Sequence, residues 1–219
     1  MRGKLIVIDG SDGVGKKTQT ALLVERLRKE RLKVRTLDFP QYAENFFGSF
    51  IRECLDGEHG SFTEASPYFA SIPYAADRFE SKPRLEKWLA EGALVVLDRY
   101  VSANQMHQGG KIKGTANRER FLEWLDTMEH KIFKLPRPDL IIYLHIPVSL
   151  SLALISGRGR KDQHENDPTH LENSQESALE LIKERGRWRR VECAKDKEIF
   201  SREEIHEKVY ALVKKVILK

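Results

Sequence analysis

Strand-like runs fall at five places along the chain: residues 5–9, 34–39, 93–97, 140–146 and 189–193. The first, third and fourth are almost wholly apolar, the second and fifth mix apolar with charged residues, and the segments between them are long enough for at least one helix. That alternation predicts a five-stranded parallel sheet covered by helices on both faces. Elsewhere the apolar positions recur at helical spacing. Leu22, Leu23 and Leu27 mark one amphipathic helix, and Ile205, Val209, Leu212, Val213 and Val216 share a face of another. The second helix opens on Ser201 with Glu204 three residues on, a capping box that satisfies first-turn donors reciprocally. No repeat, linker or low-complexity tract breaks the pattern, so residues 1–219 read as one α/β domain.

The first run, Leu5-Ile6-Val7-Ile8-Asp9, leads into Gly10-Ser11-Asp12-Gly13-Val14-Gly15-Lys16-Lys17-Thr18. A strand, a glycine-rich turn and a helix in that order can point successive N–H groups inward around an anion. The start of the helix adds its dipole and Lys16 a mobile charge, so the loop is expected to hold a nucleoside triphosphate. The phosphate-loop (P-loop) pattern is met from Gly10 to Lys16 and broken at Lys17, where a serine or threonine hydroxyl usually holds Mg²⁺. Using Lys17 and Thr18 instead would need glycines at positions 11 and 16, which are Ser11 and Lys16. The alternative for the loop is a bare strand-to-helix turn.

Composition narrows the partners. Hydrophobic residues make up 40% and charged residues 32%, with a net charge of +5, which suits an enzyme of polyanionic small molecules more than a nucleic-acid binder. No stretch approaches the roughly 20 apolar residues that cross a bilayer, so no membrane partner is expected. Cys54 and Cys193 are far apart and lack metal-ligand spacing, which points to a reducing, cytoplasmic setting.

In an open parallel sheet, ligands collect beyond the carboxyl ends of the strands. Asp98 closes the run 93–97, where a buried carboxylate needs a cation or hydrogen-bond partner and commonly organises Mg²⁺ in phosphate-loop proteins. Arg99 beside it has the planar fork that suits a phosphate, the alternative being a structural Asp98–Arg99 ion pair. Tyr74 and Arg78 stand four apart, so on a helix they could hold a planar base between ring and guanidinium, or else only pack the core. Gly157-Arg158-Gly159-Arg160-Lys161-Asp162 is either a solvated basic loop or a flexible mount for catalytic arginines.

Taken together, these residues resemble thymidylate kinase, a P-loop nucleoside monophosphate kinase family, almost end to end. The matching segments are Ile8-Asp9-Gly10-Ser11-Asp12-Gly13, Phe39-Pro40-Gln41-Tyr42 with Phe47-Gly48, Ala76-Asp77-Arg78, Asp98-Arg99-Tyr100-Val101-Ser102-Ala103-Asn104, His107-Gln108-Gly109 and Leu135-Pro136-Arg137-Pro138-Asp139. The resemblance implies Mg²⁺- and ATP-dependent phosphorylation of thymidine monophosphate (dTMP) to the diphosphate, in a homodimer with a mobile lid at residues 157–168. It places the donor phosphates on Gly10 to Thr18 with Lys16 bridging them, and Mg²⁺ near Asp98. Tyr74 would stack on thymine, Arg78 would bond its carbonyl edge and Asn104 would touch the base. Arg99 would hold the 5′-phosphate with Tyr42, Asp12 would accept from the 3′-hydroxyl, and Phe39 would line the pocket. Because Gly13 follows Asp12, the transition-state cation would come from the lid, as Arg158 or Arg160. Lys17, His107 in place of the tyrosine usual beside the sugar, and Glu165 in the lid depart from the family's commoner residues. The alternatives are another nucleoside or nucleotide kinase on this scaffold and a catalytically degenerate nucleotide-binding subunit.

Overall fold

The computed structural model describes residues 2–156, 168–196 and 198–218. From the N-terminus run β1 (Leu5–Gly10), α1 (Lys16–Lys29), β2 (Val34–Asp38), α2 (Phe46–Asp56), α3 (Pro67–Ala90), β3 (Leu94–Asp98), α4 (Val101–His107) and α5 (Thr115–Asp126). A π-helical turn (Thr127–Ile132) extends α5, followed by β4 (Leu140–His145), α6 (Val148–Ser156), α7 (Pro168–Glu184) and β5 (Trp188–Glu192). The short strands β6 (Ala194–Lys195) and β7 (Glu198–Ile199) pair antiparallel ahead of α8 (Arg202–Ile217).

Side-chain alternation along the strands builds two cores, one on each face of the sheet. Leu5 and Val7 of β1, Val95 and Leu97 of β3, and Ile141 and Tyr143 of β4 join Leu85, Tyr100, Met106, Phe121 and Leu125 on the face covered by α3, α4 and α5. The intervening residues Ile6, Ile8, Val96, Ile142 and Leu144 meet Leu23, Leu27, Val209 and Val213 of α1 and α8 on the other. Burying each such aliphatic side chain contributes about 1.5–3 kcal/mol, so Leu97→Ala, at 0% exposure, would cost about 2–5 kcal/mol.

All five strands are parallel in the order β2-β3-β1-β4-β5, as the five strand-like runs predict. Leu5 faces Val95 and Ile6 faces Leu140 across the two ladders of β1. This places the ends of β1 and β3 side by side, with the loop before α1 projecting from the same edge. The capping box forms as expected: Glu204 N donates to Ser201 Oγ at 3.2 Å while Ser201 N donates to Glu204 Oε2 at 2.8 Å. None of the described helices is long and apolar enough to cross a membrane.

Candidate active site

Gly10 ends β1 at φ 149°, against β4, where a Cβ atom would stand 2.3 Å from the Leu144 carbonyl oxygen. Gly15, left-handed at φ 90° and ψ 31°, is the N-cap of α1. The loop between them folds around Lys16. Its Nζ donates to the carbonyl oxygens of Gly10 and Ser11 at 3.0 Å each and to Asp12 Oδ1 at 3.2 Å. Ser151 of α6 donates to the Asp12 carbonyl at 2.5 Å, and Val14 is buried below the turn, so Gly13 sits between β1 and α6. Lys17 is exposed and Thr18 half-buried on the first turn of α1. Burial and the nearby Arg99 charge lower the Lys16 pKa, against the pull of Asp12, Asp9 and Asp98.

Arg99 follows β3 in a left-handed conformation, φ 65°, which is uncommon for a side chain this large and turns it out of the strand direction. Its N–H donates to the Ile8 carbonyl at 2.9 Å, so the strained turn is tied to β1. Nη2 donates to Asp12 Oδ1 at 2.7 Å. The ion pair is therefore Arg99–Asp12, and an Asp98–Arg99 pair does not form. Although burial acts to raise it, the Asp12 pKa lies well below the usual carboxylate range because Lys16 and Arg99 flank it.

Arg99 Nη1 lies 3.0 Å from His107 Nε2. A guanidinium only donates, so in this contact Nε2 is the acceptor. The other ring nitrogen, Nδ1, faces His170 Nε2 and Ser174 Oγ of α7, each at 3.3 Å, and the two imidazoles stack with centroids 5.5 Å apart.

The far end of the cleft is built from α3, α4 and the π-helical turn. Arg78 is 2% exposed, its Nε and Nη2 donating to the two oxygens of Glu129 at 2.8 Å each and its Nη1 to the Tyr100 carbonyl at 3.3 Å. Asn104 Nδ2 donates to Glu129 Oε1 and to the Ser71 carbonyl, both at 3.1 Å. Tyr74 packs 5.9 Å from Phe62 between ring centroids, Phe39 packs against Tyr100, and the guanidinium of Arg52 lies 3.9 Å over the Tyr42 ring. Asp12, Phe39, Tyr42, Tyr74, Arg78, Arg99, Asn104 and His107 all line one cavity of about 90 Å³, closed by Pro40, Leu55, Ala103 and Gln108.

On the opposite side of the P-loop, Asp98 and Asp38 face each other at the ends of β3 and β2. With Lys17, Thr20 and Gln41 they line an open hollow of about 860 Å³. Burial raises the Asp98 pKa, Lys16 and Arg99 pull it down, and Asp9 and Asp38 push it further up. Among the described residues no three His, Cys, Asp or Glu side chains come together as a metal site. A set of one or two carboxylates fits Mg²⁺ that keeps several waters and arrives on phosphate oxygens.

Arg158, Arg160 and the rest of the segment 157–167 lie outside the described residues. Two groups at the site carry no signal in the sequence pattern. Glu129 reaches Arg78 across 51 positions, and His170 reaches His107 across 63.

Comparison with known proteins places the chain. The family model described as thymidylate kinase matches residues 8–209. The thymidylate kinase of Mycobacterium tuberculosis (strain ATCC 25618 / H37Rv) is 31% identical over 83% of this chain and 82% of its own length. A probable thymidylate kinase of Thermococcus onnurineus (strain NA1) is 32% identical over 98% of both, and the thymidylate kinase of Homo sapiens is 28% identical over 96% and 90%. The thymidylate kinase structure from Candida albicans superposes with a TM-score of 0.73 at 21% identity, over 98% of this chain and 92% of that one, a likeness of fold. This chain belongs to the thymidylate kinase family.

Proposed function

With that membership as its premise, we propose that the protein carries out ATP-dependent phosphorylation of dTMP to dTDP in the cleft between the P-loop and α3, and that the residues named above divide the work. The observation that carries the assignment is the cavity itself: eight candidate acceptor residues from the P-loop, the turn after β2, α3, the turn after β3 and α4 converge on one space. Tyr74 and Phe39 supply apolar surface for a base, Arg78 and Asn104 its polar edge, and Arg99 with Tyr42 the 5′-phosphate. His107 and Asp12 stand beside the sugar.

The acceptor phosphate is already anionic, so no general base is required, and catalysis is positioning and charge neutralisation. Lys16 and Arg99 both hold Asp12, and each is released to a phosphate as a nucleotide enters. Asp98, with Asp38 opposite, would hold the water shell of Mg²⁺, which neutralises phosphate charge when bound. Arg158 or Arg160 would provide the remaining cation, and a closed lid would exclude water.

Association into a homodimer is part of the proposal. Phe69, Ile72 and Phe79 are 73%, 42% and 47% exposed on one side of α3, beside Ile132 at 67% and Phe46 at 75%. Phe79 packs on Phe133, next to Ile132 in the chain, and the N–H of Phe46 donates to Glu80 Oε2, which ties the start of α2 to α3, and these exposed apolar side chains are the proposed face for a second copy. A cytoplasmic setting is proposed from the two unpaired cysteines.

The test is a coupled assay of ADP release with dTMP, dUMP, dCMP, purine monophosphates and thymidine as acceptors. Turnover fastest with dTMP is expected. Faster turnover with a purine monophosphate or with thymidine would assign another kinase activity, and no turnover with any acceptor would leave a nucleotide-binding subunit.

A further inference from the structure

Asn104 is an ambiguous reader of a base, because its side chain can offer either an acceptor or a donor. Its surroundings remove the ambiguity. Both Nδ2 contacts are to pure acceptors, the Glu129 carboxylate and the Ser71 carbonyl, each at 3.1 Å. The amide nitrogen is therefore consumed behind the cavity wall, and Oδ1 is the atom left for the cavity that Asn104 lines. Glu129 also takes Arg78 through both oxygens, at 2.8 Å each, which fixes the guanidinium beside the amide.

Glu129 is 0% exposed and sits on the π-helical turn Thr127–Ile132, whose irregular backbone is held by the Leu135 N–H donating to the Glu129 carbonyl at 2.9 Å. Turns of this kind inside helices are rare and recur at functional sites. A carboxylate buried here is costly without its partners, and those it has are two of the side chains facing the cavity.

We propose that Glu129 is a positioning residue that sets base selectivity, by locking Asn104 with its acceptor and Arg78 with its donors towards the base. This rests on the reading that the base occupies this cavity. An acceptor beside a donor matches a pyrimidine that presents N3–H and a C4 carbonyl, as thymine and uracil do. Cytosine presents an N3 acceptor and an N4 amino donor, so both of its atoms face groups of their own kind. Selectivity against cytosine then comes from a residue with no place in the cavity wall.

The experiment compares kcat/KM for dTMP and dCMP in the parent and in Glu129→Gln. The carboxamide of the variant can donate to Asn104, which frees the amide to turn its nitrogen towards the base. The parent is expected to prefer dTMP by a factor on the order of 10² or more, and the variant's preference to fall at least tenfold with KM for ATP unchanged. A folded Glu129→Gln that keeps the parent's preference overturns the inference while leaving the base-site reading intact. A parent that does not discriminate overturns both. If the single variant does not fold, Glu129→Gln combined with Asn104→Asp keeps one carboxylate beside Arg78 and an acceptor towards the base. That double variant is expected to prefer dTMP, and accepting dCMP equally well would overturn the proposal.

Discussion

The two ends of the cleft hold their charged groups in different ways. At the base end, Arg78, Glu129, Asn104 and Ser71 are 3% exposed or less and satisfy one another through partners that a ligand need not displace. At the phosphate end, Lys16 and Arg99 both converge on a single carboxylate oxygen, Oδ1 of Asp12. Those contacts must loosen for either cation to reach a phosphate. The first arrangement is preorganised and suits recognition of a fixed hydrogen-bond pattern. The second exchanges partners and suits charge that arrives, moves and leaves. Substitutions at the base end should therefore change which nucleotide is used, and those at the phosphate end how fast any nucleotide is used.

The largest effect should come from the arginines at 158 and 160. If one of them supplies the cation for the transferring phosphoryl group, Arg158→Ala with Arg160→Ala should lower kcat by something on the order of 10³-fold. Single-turnover and equilibrium binding measurements should show far smaller changes in affinity for dTMP and ATP. Near-normal turnover in the double variant would transfer the burden to Lys16 and Arg99, and the phosphate end would then be as self-contained as the base end.

Arg99→Ala comes next. Removing a charge-assisted contact of this kind costs about 1.5–3 kcal/mol, or at least about tenfold in kcat/KM for dTMP. The KM for ATP should hardly move, and the ratio of dTMP to dUMP should stay at the parent value. A changed base preference in this variant would break the division between the two ends.

How much of this was legible beforehand follows the same division. The P-loop lies within nine consecutive residues, and short-range chemistry alone identifies it: glycines where the backbone turns left-handed, and a lysine at the helix start. The strands were legible to within one residue at either end, most plainly β1, β3 and β4, where burial on both faces writes an apolar run, while the edge strands β2 and β5 keep exposed charged positions. The run at 93–97 is found at Leu94–Asp98 because Asp98 still pairs with Ile8 and Asp38 in the ladders, and a carboxylate there does not look like a strand residue. Glu129 was not legible. It sits in a mixed-polarity stretch after α5, and its partners come from α3 and α4, 51 and 25 positions away. The π-helical turn that delivers it has no periodicity of its own. The hairpin of β6 and β7 is likewise too short to register, at two residues a strand. His170 follows residues 157–167 on α7 and meets His107 only through the fold.

The smallest effect, and the finest probe of the phosphate end, concerns Lys17. Its ammonium cannot coordinate a cation while protonated, and it shares a hollow with Asp38 and Asp98. Mg²⁺ would then depend on phosphate oxygens, waters and Asp98, while Lys17 replaces part of the missing contact with direct charge. Lys17→Ser restores a hydroxyl at the usual position and should leave an active enzyme whose half-saturating Mg²⁺ concentration falls by a factor of about two to five, the scale of one modest contact. Asp98→Asn should shift that concentration the other way. Burial holds the Asp98 pKa above its ordinary value, so turnover that needs its carboxylate should fall as pH drops through that raised value and recover above it. Metal titrations of the parent and both variants decide the matter: turnover without any divalent cation, or indifference to Asp98→Asn, would show that the charge at this end is carried by the basic side chains without the metal.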